Sequence, residues 1–231
     1  MDIINLRNFF IHFDEKNPKH LAAADELQKE IFSLKPELLT NNTNWVRIYR
    51  TPVEPIKLDK EVPFYPQTDN YTQPDRTCNS SSCAMCLEYY IPKSLPPGPK
   101  GDDAYLKKVL AIGDTTDHDV QTKVLNSYGL KSEFSYNLNF VDIDRELAAK
   151  RPMVIGICHR GPESNPSGGH MIVIHTKLNN GNYVCHDPYG DLYDGYTSNV
   201  QNGKNAIYER KVLQARWTVN GSPGWGRIFK P

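Results

Sequence analysis

The strongest constraint on the fold is an order: helical periodicity comes first along the chain and strand-like runs come last. Residues 76 to 150 read mainly as helix. Segments 103–112 and 117–129 have helical spacing, with Gly129 as a stop, and "FVDIDRELAAK" (140–150) adds a short helix with Asp142 as its candidate cap. Residues 152 to 231 read mainly as strand. "PMVIGIC", "HMIVIHT", "NYVCHD" and "QARWTV" are rich in β-branched and aromatic residues, and the Trp- and Gly-rich tail after them reads as a closing strand and loop. Alternating helices and strands would build a parallel sheet. A helical block followed by a strand block predicts an α+β fold with an antiparallel sheet.

Ahead of these blocks, Leu21, Ala24, Leu27, Ile31 and Leu34 recur at helical spacing, so 17–40 is predicted as an amphipathic helix. Asn17 followed by Pro18 suits its start. Residues 43–66 are punctuated by proline and read as an extended linker. The predicted division is therefore an N-terminal helical extension and linker over 1–60 and a main domain over 61–231. A chain of 231 residues is long enough to bury a sizeable core.

Charge and hydropathy set several partners aside. Lys plus Arg and Asp plus Glu both number 27, so the net charge is zero and nothing points to nucleic acid or an acidic membrane. There is no run of 18 apolar residues to predict a membrane span. The first twenty residues lack the basic-then-apolar pattern of a secretory signal, so synthesis in the cytoplasm is expected, followed by association with a virion or release at lysis.

Three of the five cysteines fall within nine positions, in "DRTCNSSSCAMCLEYY" (75–90). Five is too few and too odd a number for a disulfide scaffold, and reduced thiols are expected. No Gly or Pro interrupts 79–90, so the stretch is predicted as a helix capped by Thr77 or Asn79, with Cys78 at its N-terminus. Free N–H groups and the helix dipole at that end favour a thiolate. Cys83 and Cys86 lie inside the helix, where cysteine behaves as a small buried hydrophobe. Cys83 and Cys86 also form a C-x-x-C. Zinc sites place such pairs on tight turns and need a second pair, whereas Cys158 and Cys185 stand alone in apolar runs, so no metal and no cofactor is expected.

A nucleophilic thiol needs a base and a group to orient that base. His12, His20 and His118 sit in polar or helical surroundings and are expected at the surface. His170 follows "PSGG" and opens "HMIVIHT", where two glycines let the backbone turn closely before a strand. Asp187 ends the next strand-like run, 17 residues on, in "YVCHDPYGD". A symmetric turn on Asn180-Gly181 would set Asp187 opposite Ile174, four residues along the strand from His170. A different register or a bulge is needed, and a turn centred nearer Leu178-Asn179 is expected. The acids Asp187, Asp191 and Asp194 miss the EF-hand spacing and read as turn residues rather than a calcium site.

The segments "VPFYPQTDN", "CNSSSCAMCLEYY", "GGHMIVI" and "DPYGD" occur in this order between about residues 62 and 195. In order and spacing they resemble the papain-fold peptidases related to the bacteriocin-leader, double-glycine-cleaving family. That family shows a Val-Pro shortly before a Gln, then "CGPAALAMVLAY", "GGHWVVV" and "DPYG". The resemblance implies a papain-like cysteine peptidase domain over 61–231, with a helical first half carrying the Cys and an antiparallel sheet carrying His and Asp. It implies Cys78 as nucleophile, His170 as base, Asp187 as orienter and Gln67 as oxyanion donor. The chain departs from the family pattern after the nucleophile, where Asn79 and Ser80 stand in place of Gly and Pro.

For substrate, the expectation is a peptidoglycan peptide cross-link, cut by a phage-type lysin or an enzyme associated with a virion. Processing of a precursor after Gly-Gly is one alternative. A catalytically silent structural or binding module of the same fold is another.

Overall fold

The computed structural model describes residues 17–20, 23 and 55–231. Asn17 accepts a hydrogen bond from the Lys19 N–H at 3.0 Å, the geometry of a helix cap. The rest of the helix expected over 17–40 lies outside the described residues. Pro55–Leu178 and Asn182–Pro231 form one compact body.

Three helices lead. They are α1 (Cys78–Tyr90), α2 (Asp102–Ile112) and α3 (His118–Ser127). Asp117 caps α3 by accepting from the N–H groups of Asp119 and Val120, and Gly129, at φ +87°, turns the chain out of it. Next comes β1 (Lys131–Leu138), within the stretch read as helical. This strand pairs on one side only and keeps most of its residues partly or fully exposed, so it carries no apolar run by which to recognise it. The helix α4 follows (Phe140–Ala148). Its cap is Asn139 rather than Asp142, and Asp142 returns a bond to the Asn139 N–H to complete a capping box.

The remaining elements are β2 (Met153–Ile157), β3 (His170–Lys177), β4 (Tyr183–His186), β5 (Ala206–Tyr208), α5 (Arg210–Trp217) and β6 (Gly224–Lys230). The "QARWTV" segment expected as a strand instead falls mostly in α5. Helical spacing lets Val212, Leu213 and Trp217 bury together there.

All pairings are antiparallel, in the order β1-β6-β2-β3-β4-β5. Alternation sends successive side chains to opposite faces. Val154, Met171 and Val173 pack with Cys83, Met85, Tyr105 and Val124 of α1–α3. Ile155, Ile172 and Ile174 pack with Ile143 and Leu147 of α4 and Leu213 and Trp217 of α5. Burying side chains of this size contributes roughly 1.5–3 kcal/mol each. With both faces covered, all of β2 is buried. Gly156 is required there, because a Cβ at this position would run into the Trp225 indole.

The β3–β4 register brings the two expected site residues together through a bulge, one of the two routes expected, but not with the turn centre expected. The pairs are Lys177 with Tyr183 and Thr176 with Val184, which centres the turn on Asn180 rather than on Leu178-Asn179. A bulge between Ile174 and Thr176 then shifts the ladder, so that Val173 faces His186. Extended by one residue, this register sets Asp187 opposite Ile172, on the His170 face and diagonal to it.

Candidate active site

The nucleophile candidate sits where a helix meets the sheet. Thr77 occupies the N-cap position of α1 and makes no side-chain capping bond, so Cys78 is the first residue of the helix. Cys78 is half-buried, and the His170 ring favours its anion. The backbone N–H groups of Met171 and Asn79 favour the anion as well. Burial alone would raise the thiol pKa. The His170 ring, its charge and these two N–H groups outweigh burial and hold the pKa below its ordinary value.

His170 opens β3 and is buried. Its Nε2–H donates to Asp187 Oδ1 at 2.6 Å, which leaves Nδ1 as the nitrogen for Cys78. Burial opposes charge on this ring, but the Asp187 carboxylate and its hydrogen bond, with Cys78 adding to them, push the pKa up to about 10. The two shifts have one consequence: the pair is held as thiolate and imidazolium.

Asp187 is fully buried and over-determined. Oδ1 also accepts from the Tyr189 N–H at 3.0 Å, while Oδ2 accepts from the hydroxyls of Tyr208 at 2.7 Å and Tyr196 at 3.3 Å. Its own N–H donates to Gly203 O at 2.9 Å. Tyr196 takes a left-handed backbone, φ +63°, a conformation that is unfavourable for a tyrosine and that clusters at functional sites. Its ring lies against His170 and His159, with centroids 5.7 and 5.8 Å away. His159 lies 5.2 Å from His170 and is lowered to about 4, chiefly by burial and then by the His170 charge. The loop carrying it is closed by an Arg160–Ser167 bridge and held by the Arg216 guanidinium, which donates to Cys158 O at 2.8 Å and Gly161 O at 2.9 Å.

Gln67 bonds through its backbone to both sides of this group. Its N–H donates to Pro188 O at 2.8 Å, and its carbonyl accepts from Thr77 Oγ1 at 3.5 Å. The side chain is buried, and Nε2 donates to Pro74 O at 2.7 Å, which fixes the amide plane. The amide nitrogen carries a second N–H beyond that bond, whereas Oε1 is buried without a partner among the described residues.

His170 and Asp187 thus share a buried hydrogen bond next to Cys78, with Gln67 tied into the loops on either side. A thiolate, an imidazolium and preorganised N–H donors can together perform attack on a carbonyl, stabilise the oxyanion and protonate a leaving amine. Cys83 and Cys86 are fully buried inside α1. Tyr208, Tyr196 and His159 were not singled out from the sequence. Tyr208 lies on β5, a three-residue strand too short for a periodic signal, and only the Gly195-Tyr196 turn marked Tyr196. His118, expected at the surface, is half-buried against Asn79 and Phe134.

The Peptidase_C39 like family matches residues 59–222. No curated protein matches the chain. Among solved structures, a protein from Bacillus anthracis taken to be a C39-like peptidase is 14% identical, with a TM-score of 0.50 over 74% of this chain and 96% of that one. The peptidase domain of Streptococcus ComA, a bi-functional ABC transporter involved in a quorum-sensing pathway, is 16% identical. Its TM-score is 0.48 over 74% of this chain and 99% of that domain.

Proposed function

The chain belongs to the C39-like cysteine peptidase family, and from that premise we propose that it hydrolyses amide bonds through Cys78, His170 and Asp187, with Gln67 as an oxyanion donor. The observation that carries this reading is the buried His170–Asp187 hydrogen bond at 2.6 Å, on a ring that favours the Cys78 anion. Cys78 attacks the carbonyl carbon as a thiolate. The second Gln67 N–H and the Cys78 N–H receive the oxyanion; losing one such donor typically costs about 2.7–4 kcal/mol of barrier. His170, already protonated, gives its proton to the leaving amine, and the thioester remains on Cys78. Water then attacks the thioester with His170 as general base. Asp187 keeps the ring in one tautomer and stabilises its charge.

The proposed substrate is a peptidoglycan peptide cross-link. The second reading is cleavage of a linear precursor after Gly-Gly, which the family resemblance supports. Wild type, Cys78→Ala, His170→Ala and Asp187→Ala are incubated with purified peptidoglycan and, separately, with Gly-Gly peptides, and the fragments are read by mass. Wall fragments ending at a peptide bond support the first substrate, and cleavage of linear peptides alone supports the second. Activity that survives in Cys78→Ala removes the nucleophile. Total inactivity of a folded wild type with a slow-reacting Cys78 supports a silent module.

A further inference from the structure

The residue after Cys78 departs from the family pattern, and its side chain is in use. We propose that His118 is a positioning residue for Cys78 that acts through Asn79; the proposal rests on the reading of Cys78 as the nucleophile. Asn79 is buried at 2% exposure. Its Nδ2 meets His118 Nδ1 at 3.2 Å, and its Oδ1 accepts from the Cys83 thiol at 3.7 Å. The amide nitrogen can only donate, so His118 Nδ1 is the acceptor and the ring is neutral with its proton on Nε2. Asn79 directly follows Cys78 in α1, and its backbone N–H is one of the groups that favour the Cys78 anion. A side chain fixed at both ends therefore holds one of the donors that favour the thiolate.

His118 is itself anchored to the sheet. Its ring stacks on Phe134 of β1, with centroids 3.5 Å apart and planes 14° apart. Its carbonyl accepts from Arg227 Nη2 at 2.7 Å and from Thr122 Oγ1 at 3.0 Å, and Arg227 is fully buried on β6. Burial and then the Arg227 charge lower the His118 pKa to about 4, while Asp117 and Asp119 pull it upward. The ring thus stays an acceptor across the working range of a thiolate–imidazolium pair. Ser80, the other departure, is tied to the same helices: its hydroxyl pairs with Thr115 Oγ1 at 2.7 Å and accepts from Gln121 Nε2 at 2.9 Å. Where the family pattern has a Gly and a Pro, this chain has two clamped polar residues.

The test reads the thiol directly and needs no substrate. Full-length wild type, His118→Phe, Asn79→Ala, Asn79→Gly, His118→Gln and the His118→Phe/Asn79→Gly double variant are alkylated with iodoacetamide between pH 4 and 10. Modification of Cys78 is followed by peptide mass, and thermal unfolding is recorded in parallel. Phe keeps the stack on Phe134 and removes the acceptor. The expected result is that His118→Phe and Asn79→Ala each raise the midpoint for Cys78 by about 0.5–1 unit, so that alkylation slows about three- to tenfold at pH values below the wild-type midpoint. His118→Gln, which retains an acceptor, should restore most of the rate. In the Asn79→Gly background, His118→Phe should change nothing further. An unchanged midpoint in His118→Phe with a lowered melting temperature overturns the proposal and leaves His118 a packing residue, and additive effects in the double variant overturn it as well. Should His118→Phe not fold, Asn79→Ala carries the same comparison. A wild type in which Cys78 reacts no faster than Cys158 at pH 6 sinks the nucleophile reading and this proposal with it. Fast wild-type Cys78 with unshifted variants sinks this proposal alone.

Discussion

Strands β3 and β4 carry two imidazole regions that differ in one respect. At one end, His170 faces Asp187, and its pKa rises to about 10. Further along the same two strands, His175 and His186 pack with centroids 4.5 Å apart and planes tilted by 53°, with His175 lowered to about 3 and His186 lowered as well. Burial acts on all three rings in the same direction, against charge. His186 has both nitrogens engaged, donating to Val62 O at 2.9 Å and accepting from the Asn205 N–H at 3.1 Å, an arrangement only a neutral ring can make. Asp187 is its neighbour in sequence, yet alternation along the strand turns that carboxylate to the other face. The difference between a charged, reactive imidazole and two silent ones is thus which face of the sheet a single carboxylate points to.

The largest expected effect erases the contrast. Asp187→Asn removes the charge and should drop the His170 pKa below its ordinary value, like that of its neighbours. The thiolate is then lost, and kcat should fall on the order of 10^4-fold, less than the roughly 10^6-fold loss from removing Cys78 or His170. Steady-state kinetics with a pH profile decide it. A variant that keeps most of its activity would mean the carboxylate does not set the ring.

A smaller effect sharpens the contrast. Tyr208→Phe deletes one of the two hydroxyls on Asp187 Oδ2 and should cost about 1 kcal/mol, or several-fold in kcat with little change in KM. If KM moves instead, Tyr208 shapes substrate binding and not the carboxylate.

The fold was legible wherever a local pattern decided it. The α1 stretch, with Cys78 first and Cys83 and Cys86 buried inside, follows from the absence of Gly and Pro and from the habit of cysteine inside a helix. Strands β2, β3 and β4 followed from their β-branched runs. The rest was set by partners far away in the chain. β1 is an edge strand that binds only β6, and α5 takes its form from burying Trp217 and Leu213 on the sheet. The His170–Asp187 contact depends on a bulge that no turn residue announces. Tyr196, Tyr208 and His118 matter because of what they touch across gaps of 9, 21 and 39 residues.

The smallest expected effect falls on the silent pair. Rings whose folded pKa values lie below about 6.5 take up protons on unfolding, so their contribution to stability is lost as pH falls from about 6.5 toward the folded values. His175→Gln should therefore flatten the acid slope of stability between about pH 6 and 4, read by urea unfolding across that range, and should leave the pH dependence of kcat unchanged. A shifted kcat profile would join the two regions that the account keeps apart.

The central claim is that His170 is an imidazolium at neutral pH because Asp187 faces it and Cys78 is its anion. The most direct measurement is a nitrogen-15 NMR titration of the histidine side chains of the whole chain, with His170 and His186 assigned by substitution. His170 should stay protonated from pH 5 through 8.5 and titrate near about 10, while His186 should be neutral at pH 7. A His170 signal that is neutral at pH 7, or that titrates with an ordinary value near 6.5, would contradict that claim.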